Sequence, residues 1–262
     1  MAKVWLRTEK DPVTGLDIPA GANLAVAMYG FRELGAEIIP YEDISEIMDW
    51  VTSQDIVLDY IPQCMSVFRK FGVEVDLPYY PEPLREFTGR NIYLETMPAF
   101  LERFKNDSRP YFIKPLKRKT FTGKVVREQS DFPECLYSGQ EQEILVSDVL
   151  DIQAEWRVFI IYDHIVDVRP YTWPLPDEEY PLHAQYDPDV LKDMMDCFRT
   201  WSDRPAGCGM DICLTSDGRT LLMEQNDGYC LGTYGLPERI YAKLVSARWS
   251  QILNRADTYR FL

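Results

Sequence analysis

Histidine is nearly missing from this sequence: only His164 and His183 occur among 262 residues. They are not spaced as a zinc site, so histidine-based metal chemistry and a Ser-His-Asp triad both fall away. None of the six cysteines forms a Cys-x-x-Cys pair, and several lie inside apolar runs, as reduced and buried thiols do. No apolar run approaches the roughly 18–20 residues that cross a bilayer. The opening Met-Ala-Lys-Val-Trp-Leu-Arg returns to charge too soon for a secretory signal, which makes a cytoplasmic protein the expectation. Bases are outnumbered, 28 Lys and Arg against 42 Asp and Glu. The resulting net charge of −14 argues against sequence-independent nucleic-acid binding, which phosphate neutralisation drives. The pattern G-x-x-x-x-G-K-[ST] is absent too, which closes the P-loop route to phosphate binding.

What is present reads as two patterns in succession. Over the first ~90 residues strands alternate with helices. Val4–Arg7, Ile38-Ile39, Ile56–Leu58 and Val73–Val75 are expected strands. Asn23 can cap a helix carrying Leu24, Met28, Phe31 and Leu34 and closed by Gly35. Asp43 and Glu46 form a capping box, and Pro62 opens a helix with Met65, Phe68 and Phe71 that Gly72 closes. Such alternation implies a parallel sheet with right-handed crossovers. A proline-rich connector, Pro78 to Gly89, then leads to a helix around Pro98–Phe104. Beyond it the expected strands are Phe112–Lys114, Lys124–Arg127, Ile144–Ser147, Trp156–Tyr162, Ile165–Tyr171, Gly209–Leu214 and Leu221–Gln225. Most meet through turns, as in an antiparallel sheet. Val190, Leu191, Met194, Met195, Phe198 and Trp201 repeat with helical period, and a last helix runs from about Pro237 to Leu253.

Three constellations stand out. Tyr111–Arg127 holds Lys114, Lys117, Arg118, Lys119, Lys124 and Arg127, six bases with no acid. A run of bases is as a rule a solvated face. Here Lys114 stands at a strand end before Pro115, and Thr120–Lys124 is a hydroxyl-bearing turn into the next strand, an arrangement suited to gripping a polyphosphate. Glu155-Trp156-Arg157 enters the apolar strand Val158–Ile161; it is either an edge feature or a site for the planar guanidinium fork to meet a phosphate or carboxylate. Asp211 lies in an apolar strand, and the turn Ser216-Asp217-Gly218 returns the chain so that Glu224 can lie across from it, with Asn226 on the face of Glu224. Apart from a solvent-facing acidic hairpin, the reading is a set of hard oxygen ligands for Mg²⁺ bridging substrate phosphates.

In this order, Phe112-Ile113-Lys114-Pro115, Ile144–Leu150, Glu155-Trp156-Arg157, Gly209-Met210-Asp211 and Met223-Glu224-Gln225-Asn226 resemble the ATP-grasp superfamily over about half the chain. The resemblance implies an α/β (α+β) fold, with an N-terminal parallel αβ domain over residues 1–88. A two-lobed ATP-grasp with antiparallel sheets would follow, its small lobe over 89–148 and its central lobe over 149–262. It implies that Lys114 and Lys124 hold the α- and β-phosphates of ATP. Ser147, Asp148 and Val149 would form the hinge at the adenine edge, and Glu155 would reach nucleotide or substrate. Arg157 would steady the γ-phosphate and an acyl phosphate, while Asp211, Glu224 and Asn226 bind Mg²⁺. One departure is the single glycine of Lys117–Gly123, where many members have a glycine-rich loop. The implied activity is ATP-dependent joining of a carboxylate, as an acyl phosphate, to an amine on a small molecule, peptide or protein. A kinase using the same nucleotide site and a non-catalytic nucleotide-binding adaptor are the alternatives. Substrate-determining positions are sought in Tyr171–Tyr186 (Tyr171, Trp173, Asp177, Glu178, Glu179, His183) and Tyr229–Tyr234, although either could be an ordinary surface loop.

Overall fold

A computed structural model describes residues 3–76, 78–107, 109–116, 121–132, 143–171 and 184–261. The chain forms two compact units, residues 88–152 and the segments flanking them.

The larger unit begins with β1 (Lys3–Lys10), β2 (Asp17–Pro19), α1 (Ala22–Glu33), β3 (Glu37–Tyr41), α2 (Ile44–Ile47), β4 (Ile56–Leu58) and α3 (Ile61–Lys70). β1 is central, with β3 and β4 parallel on either side and β2 antiparallel to its last residues. The expected parallel sheet is therefore present. The Asp43–Glu46 capping box forms, and Pro62 sits in the first turn of α3. Gly35 and Gly72 end their helices with φ of 77° and 75°, left-handed values that glycine adopts without strain.

Two local expectations are corrected. α1 starts two residues earlier than an Asn23 cap requires, with Gly21 at φ 139° in the capping position. Asn23 instead turns its Oδ1 to the amide and hydroxyl of Thr233, both at 3.1 Å. Val73–Val75 is not a strand: the amide of Val73 returns to the Phe68 carbonyl, and the valines pack on the core without a ladder partner. The short β2 has too few residues to show a period.

The smaller unit holds β5 (Ile92–Thr96), α4 (Met97–Phe104), β6 (Tyr111–Pro115), β7 (Lys124–Val126) and β8 (Glu143–Asp148). Its antiparallel sheet runs β5-β8-β6-β7. One face carries Tyr111, Ile113, Val126, Ile144 and Val146, closed by Met97 and Phe100 of α4.

The larger unit resumes with β9 (Ile152–Ile161), β10 (His164–Pro170), α5 (Pro188–Thr200), β11 (Gly207–Thr215), β12 (Thr220–Asp227) and α6 (Glu238–Ile252). Its second sheet runs β10-β9-β11-β12. Leu191, Met194, Met195 and Phe198 of α5 cover one face of that sheet. α6 belongs to the other core, where Trp249 meets Phe68 of α3 at 4.4 Å between ring centroids. The last helix is thus buried against the first third of the chain. No helix among the described residues is long and apolar enough to cross a membrane.

The α1–α6 contact depends on Gly30, because a Cβ there would lie 1.9 Å from the Glu238 carbonyl oxygen. Alanine normally strengthens a helix relative to glycine by about 1 kcal/mol. At this position backbone overlap reverses the sign, and Gly30→Ala is expected to destabilise by about 1–3 kcal/mol. Urea melts of Gly30→Ala check this; a variant as stable as the parent would show that the helices do not meet there.

Candidate active site

Residues along β9 alternate between two environments. Ala154, Trp156, Val158 and Ile160 enter the core under α5, together with Met210 and Ile212 of β11 and Leu222 of β12. Glu155 and Arg157 therefore take the opposite face. On β11 that face is carried by Gly209 and Asp211, which pair with Asn226 and Glu224 of β12. A bulge makes this possible. A regular ladder continued from the Ile212–Leu222 pair would set Met223 across from Asp211. The register instead slips at Asp211, so that Glu224 stands opposite it. One extra residue thus transfers Glu224 and Asn226 from the apolar face to the polar one.

Asp211 and Arg157 form a bidentate ion pair, Nε to Oδ1 and Nη2 to Oδ2 both at 2.7 Å, with side chains only 6% and 4% exposed. Asn226 Nδ2 adds a hydrogen bond to Asp211 Oδ2 at 2.8 Å. Gly209 leaves room for the arginine, since a Cβ there would be 3.1 Å from Arg157 Cδ. Tyr171 and Tyr234 stack with centroids 4.7 Å apart, and the guanidinium carbon lies 5.0 and 4.7 Å from the two rings. Tyr234 reaches this place with φ 43°, a backbone value uncommon outside glycine. The fork that the sequence assigns to a phosphate is thus already engaged by Asp211. Nothing local in the sequence signals the aromatic bracket around it, where Tyr171 and Tyr234 stand only as ends of the substrate segments.

Three acids share this face with the arginine. Burial pushes the Asp211 carboxyl up to about 6; the Arg157 hydrogen bonds and charge oppose the shift, and Glu224 adds to it. Glu155 is likewise held above its usual range, first by burial and then by the charges of Asp211 and Glu224. For Arg157 burial acts to lower the pKa, but the bonds to Asp211 and its charge prevail and keep the guanidinium protonated. No group of three or more His, Cys, Asp or Glu in direct metal-binding proximity occurs among the described residues.

In the smaller unit, Lys114 is buried on β6. Its register partner is Leu145, and Phe112 pairs with Ser147, so Lys114 and Ser147 share the face away from α4. Gly123 lies on the same side, where a Cβ would come within 3.2 Å of Lys114 Cβ. Lys124 pairs with Ile113, a residue of the α4-side core. The two lysines expected to act as a pair thus project from opposite faces. Asp148 accepts the Asn91 amide and side-chain Nδ2 on one oxygen, at 3.1 and 2.8 Å. Val149 follows directly after β8. Lys117, Arg118, Lys119 and Thr120 of the basic run, and Trp173, Asp177, Glu178, Glu179 and His183 of the substrate segment, lie outside the described residues.

The pKa directions give a stability test. Because Glu155 holds its proton more tightly when folded, its penalty is absent below the usual carboxylate range. It sets in as pH rises through the raised folded value and is complete above it. Glu155→Gln is expected to raise the ligand-free melting temperature at about pH 8 and leave it unchanged at about pH 4. A lower melting temperature at the higher pH would show that Glu155 makes a stabilising contact instead.

Among solved structures, the chain is similar to D-alanine–D-alanine ligase from Bacillus anthracis, at 12% identity with 97% of this chain and 98% of that chain covered and a TM-score of 0.57. A RimK-domain ATP-grasp protein from Sphaerobacter thermophilus DSM 20745 gives 12% identity, coverage of 96% and 100%, and a TM-score of 0.57. The ATP-grasp ligase PsnB complexed with a minimal precursor gives 14%, 95% and 99%, and 0.51. At such identities the likeness is one of fold. No curated protein matches the sequence significantly. A family model describing one clade of ATP-grasp domains matches residues 87–244, more than half of the 262, and with the fold already in place this chain belongs to the ATP-grasp family.

Proposed function

We propose that this protein is an ATP- and magnesium-dependent ligase that activates a carboxylate as an acyl phosphate and joins it to the amine of an amino acid, peptide or protein. The observation that carries the reading is the gathering of acids on the second sheet of an ATP-grasp chain: Glu155, Asp211 and Glu224 face the same way, around Arg157. Carboxylates crowded in this way inside a protein are costly unless cations join them. Hard oxygen donors, two carboxylates and one amide, fit Mg²⁺, which here would be held by Asp211, Glu224 and Asn226. When bound, Mg²⁺ supplies charge neutralisation at the triphosphate oxygens. Similar folds give the reading further support: PsnB has been observed with a minimal precursor, Mg and ADP.

Each residue then has a role. Lys114, set in a strand and buried, binds nucleotide phosphate; Lys124 is a second phosphate contact. Ser147, Asp148 and Val149 form the adenine edge, with the Asp148 carboxylate held by Asn91. Arg157 keeps Asp211 ionised and oriented through its Nε and Nη2, leaving Nη1 to meet the transferring phosphoryl group. Glu155 meets nucleotide or substrate. A substrate carboxylate oxygen attacks the γ-phosphorus and the bond to ADP breaks. The amine then attacks the acyl carbon and inorganic phosphate leaves. No enzyme nucleophile is needed, since alignment and charge stabilisation do the work.

With ATP, Mg²⁺ and pooled amino acids and peptides, ADP and inorganic phosphate are expected one for one with an amide product, and hydroxylamine is expected to divert the intermediate to a hydroxamate. Glu224→Ala should remove turnover by roughly 100-fold or more while the far-UV spectrum is kept. Phosphate retained on an acceptor hydroxyl, with no hydroxamate, would make the protein a kinase. No turnover with any acceptor would make it a binding module.

The opposite faces of Lys114 and Lys124 lead to a second expectation. Lys114→Ala weakens ADP binding by roughly tenfold, the loss of a charge-assisted contact, and Lys124→Ala by much less. Calorimetric titration separates them. Equal losses would mean that both lysines act as a diffuse positive field.

A further inference from the structure

Arg157 spends Nε and Nη2 on Asp211, and its Nη1 makes no hydrogen bond among the described residues. The side chain is nevertheless only 4% exposed. Part of its cover comes from one short segment between β12 and α6. A Cβ on Gly232 would lie 3.4 Å from Nη1 and 2.7 Å from Tyr234 Cε2, so the backbone of that glycine sits against both. The Tyr234 ring centroid is 4.7 Å from the guanidinium carbon. A phosphoryl group needs more room at Nη1 than a side chain covered in this way provides.

The covering segment is firmly held at its two ends and lightly held between them. Leu231 and Leu236 are buried in the core, and the Leu231 carbonyl accepts the Tyr241 hydroxyl. Between them Gly232, Thr233 and Tyr234 are half-buried and Gly235 is exposed. Tyr234 and Gly235 have φ of 43° and 79°, values that suit the glycine and are uncommon for the tyrosine. Glycines at both ends of the stretch give it places to pivot. What keeps it down is the stack of Tyr234 on Tyr171 and two hydrogen bonds at the protein surface, from the amide and hydroxyl of Thr233 to Asn23 Oδ1. Few contacts and exposed hydrogen bonds mark a segment that opens without the rest of the fold.

We propose that residues 232–235 are a flap over Arg157, latched by Asn23, and that the flap lifts to let a phosphoryl group meet Nη1. The lifting step rests on Arg157 being the phosphoryl contact; the flap itself does not. A ligand that needs the lifted state binds more weakly in proportion to how seldom that state is populated. Loosening the latch therefore tightens the hold on a nucleotide that carries a γ-phosphoryl group. ADP, which lacks that group, gains nothing.

Two measurements on the intact protein test this. The first is solvent exchange of the Arg157 Nε proton, followed by NMR in protein whose arginines carry heavy nitrogen and assigned by its absence in Arg157→Lys. Asn23→Ala removes two hydrogen bonds from the latch and should speed this exchange roughly tenfold. Tyr234→Ala should speed it further, whereas Tyr234→Phe, which keeps the ring, should leave it slow. The second is calorimetric titration with Mg²⁺ and either ADP or a β,γ-imido analogue of ATP. Asn23→Ala should bind the analogue up to tenfold more tightly than the wild type and ADP equally well. Unchanged exchange in both Asn23→Ala and Tyr234→Ala would overturn the flap. Weaker binding of the analogue to Asn23→Ala would show that the segment closes onto the ligand and would overturn the lifting. Faster exchange with both nucleotide affinities unchanged, or with no nucleotide bound at all, keeps the flap and refutes Arg157 as the phosphoryl contact.

Discussion

The Arg157–Asp211 pair joins β9 to β11 through two charge-assisted bonds with almost no exposure to water, and the polar face is arranged around it. Removing one partner of such a pair leaves an uncompensated charge and costs about 3–5 kcal/mol. The surroundings reflect this constraint. Asn226 occupies an oxygen of Asp211, Gly209 has no side chain and so admits the arginine, and Tyr171 and Tyr234 give the guanidinium aromatic faces. Beyond the pair the same face carries Glu155 and Glu224, each felt by Asp211 or its neighbours, and the proposed cation site draws on Asp211 and Glu224 together with Asn226.

The scaffold beneath this face is assembled from distant parts of the chain. Phe159 of β9 and Trp249 of α6 enter the same core as Val4, Phe31 and Phe68 from the first third of the sequence. Loop residues after β12 are held there as well, through Thr233 on Asn23 and the Tyr241 hydroxyl on the Leu231 carbonyl. That loop carries Tyr234 to Arg157. Order in the first sheet therefore bears on the geometry of an arginine in the second.

Much of the fold was legible because its signals are local. The αβ alternation of the first third, the capping box at Asp43, the helical period of Val190–Trp201 and the opposition of Trp156 to Arg157 each depend on spacing within a few residues. An acid set in the apolar strand of Asp211 was similarly visible. What escaped depends on partners remote in sequence. Asn23 looks like a cap until Thr233 arrives to take its oxygen. Val73–Val75 has strand composition and no strand beside it. The faces of Lys114 and Lys124 are set by pairing to β8 and to each other's strands, which composition does not reveal. The bulge that turns Glu224 and Asn226 toward Asp211 carries no glycine or proline to mark it.

The carboxylate activation proposed for this ATP-grasp chain is tested by the origin of one oxygen atom. With acceptor carboxylates labelled with heavy oxygen and unlabelled ATP in unlabelled water, turnover should transfer one labelled oxygen from the carboxylate to each inorganic phosphate released, read by mass spectrometry. Phosphate free of the label, with its new oxygen drawn from water, would show that no acyl phosphate forms and would contradict the account.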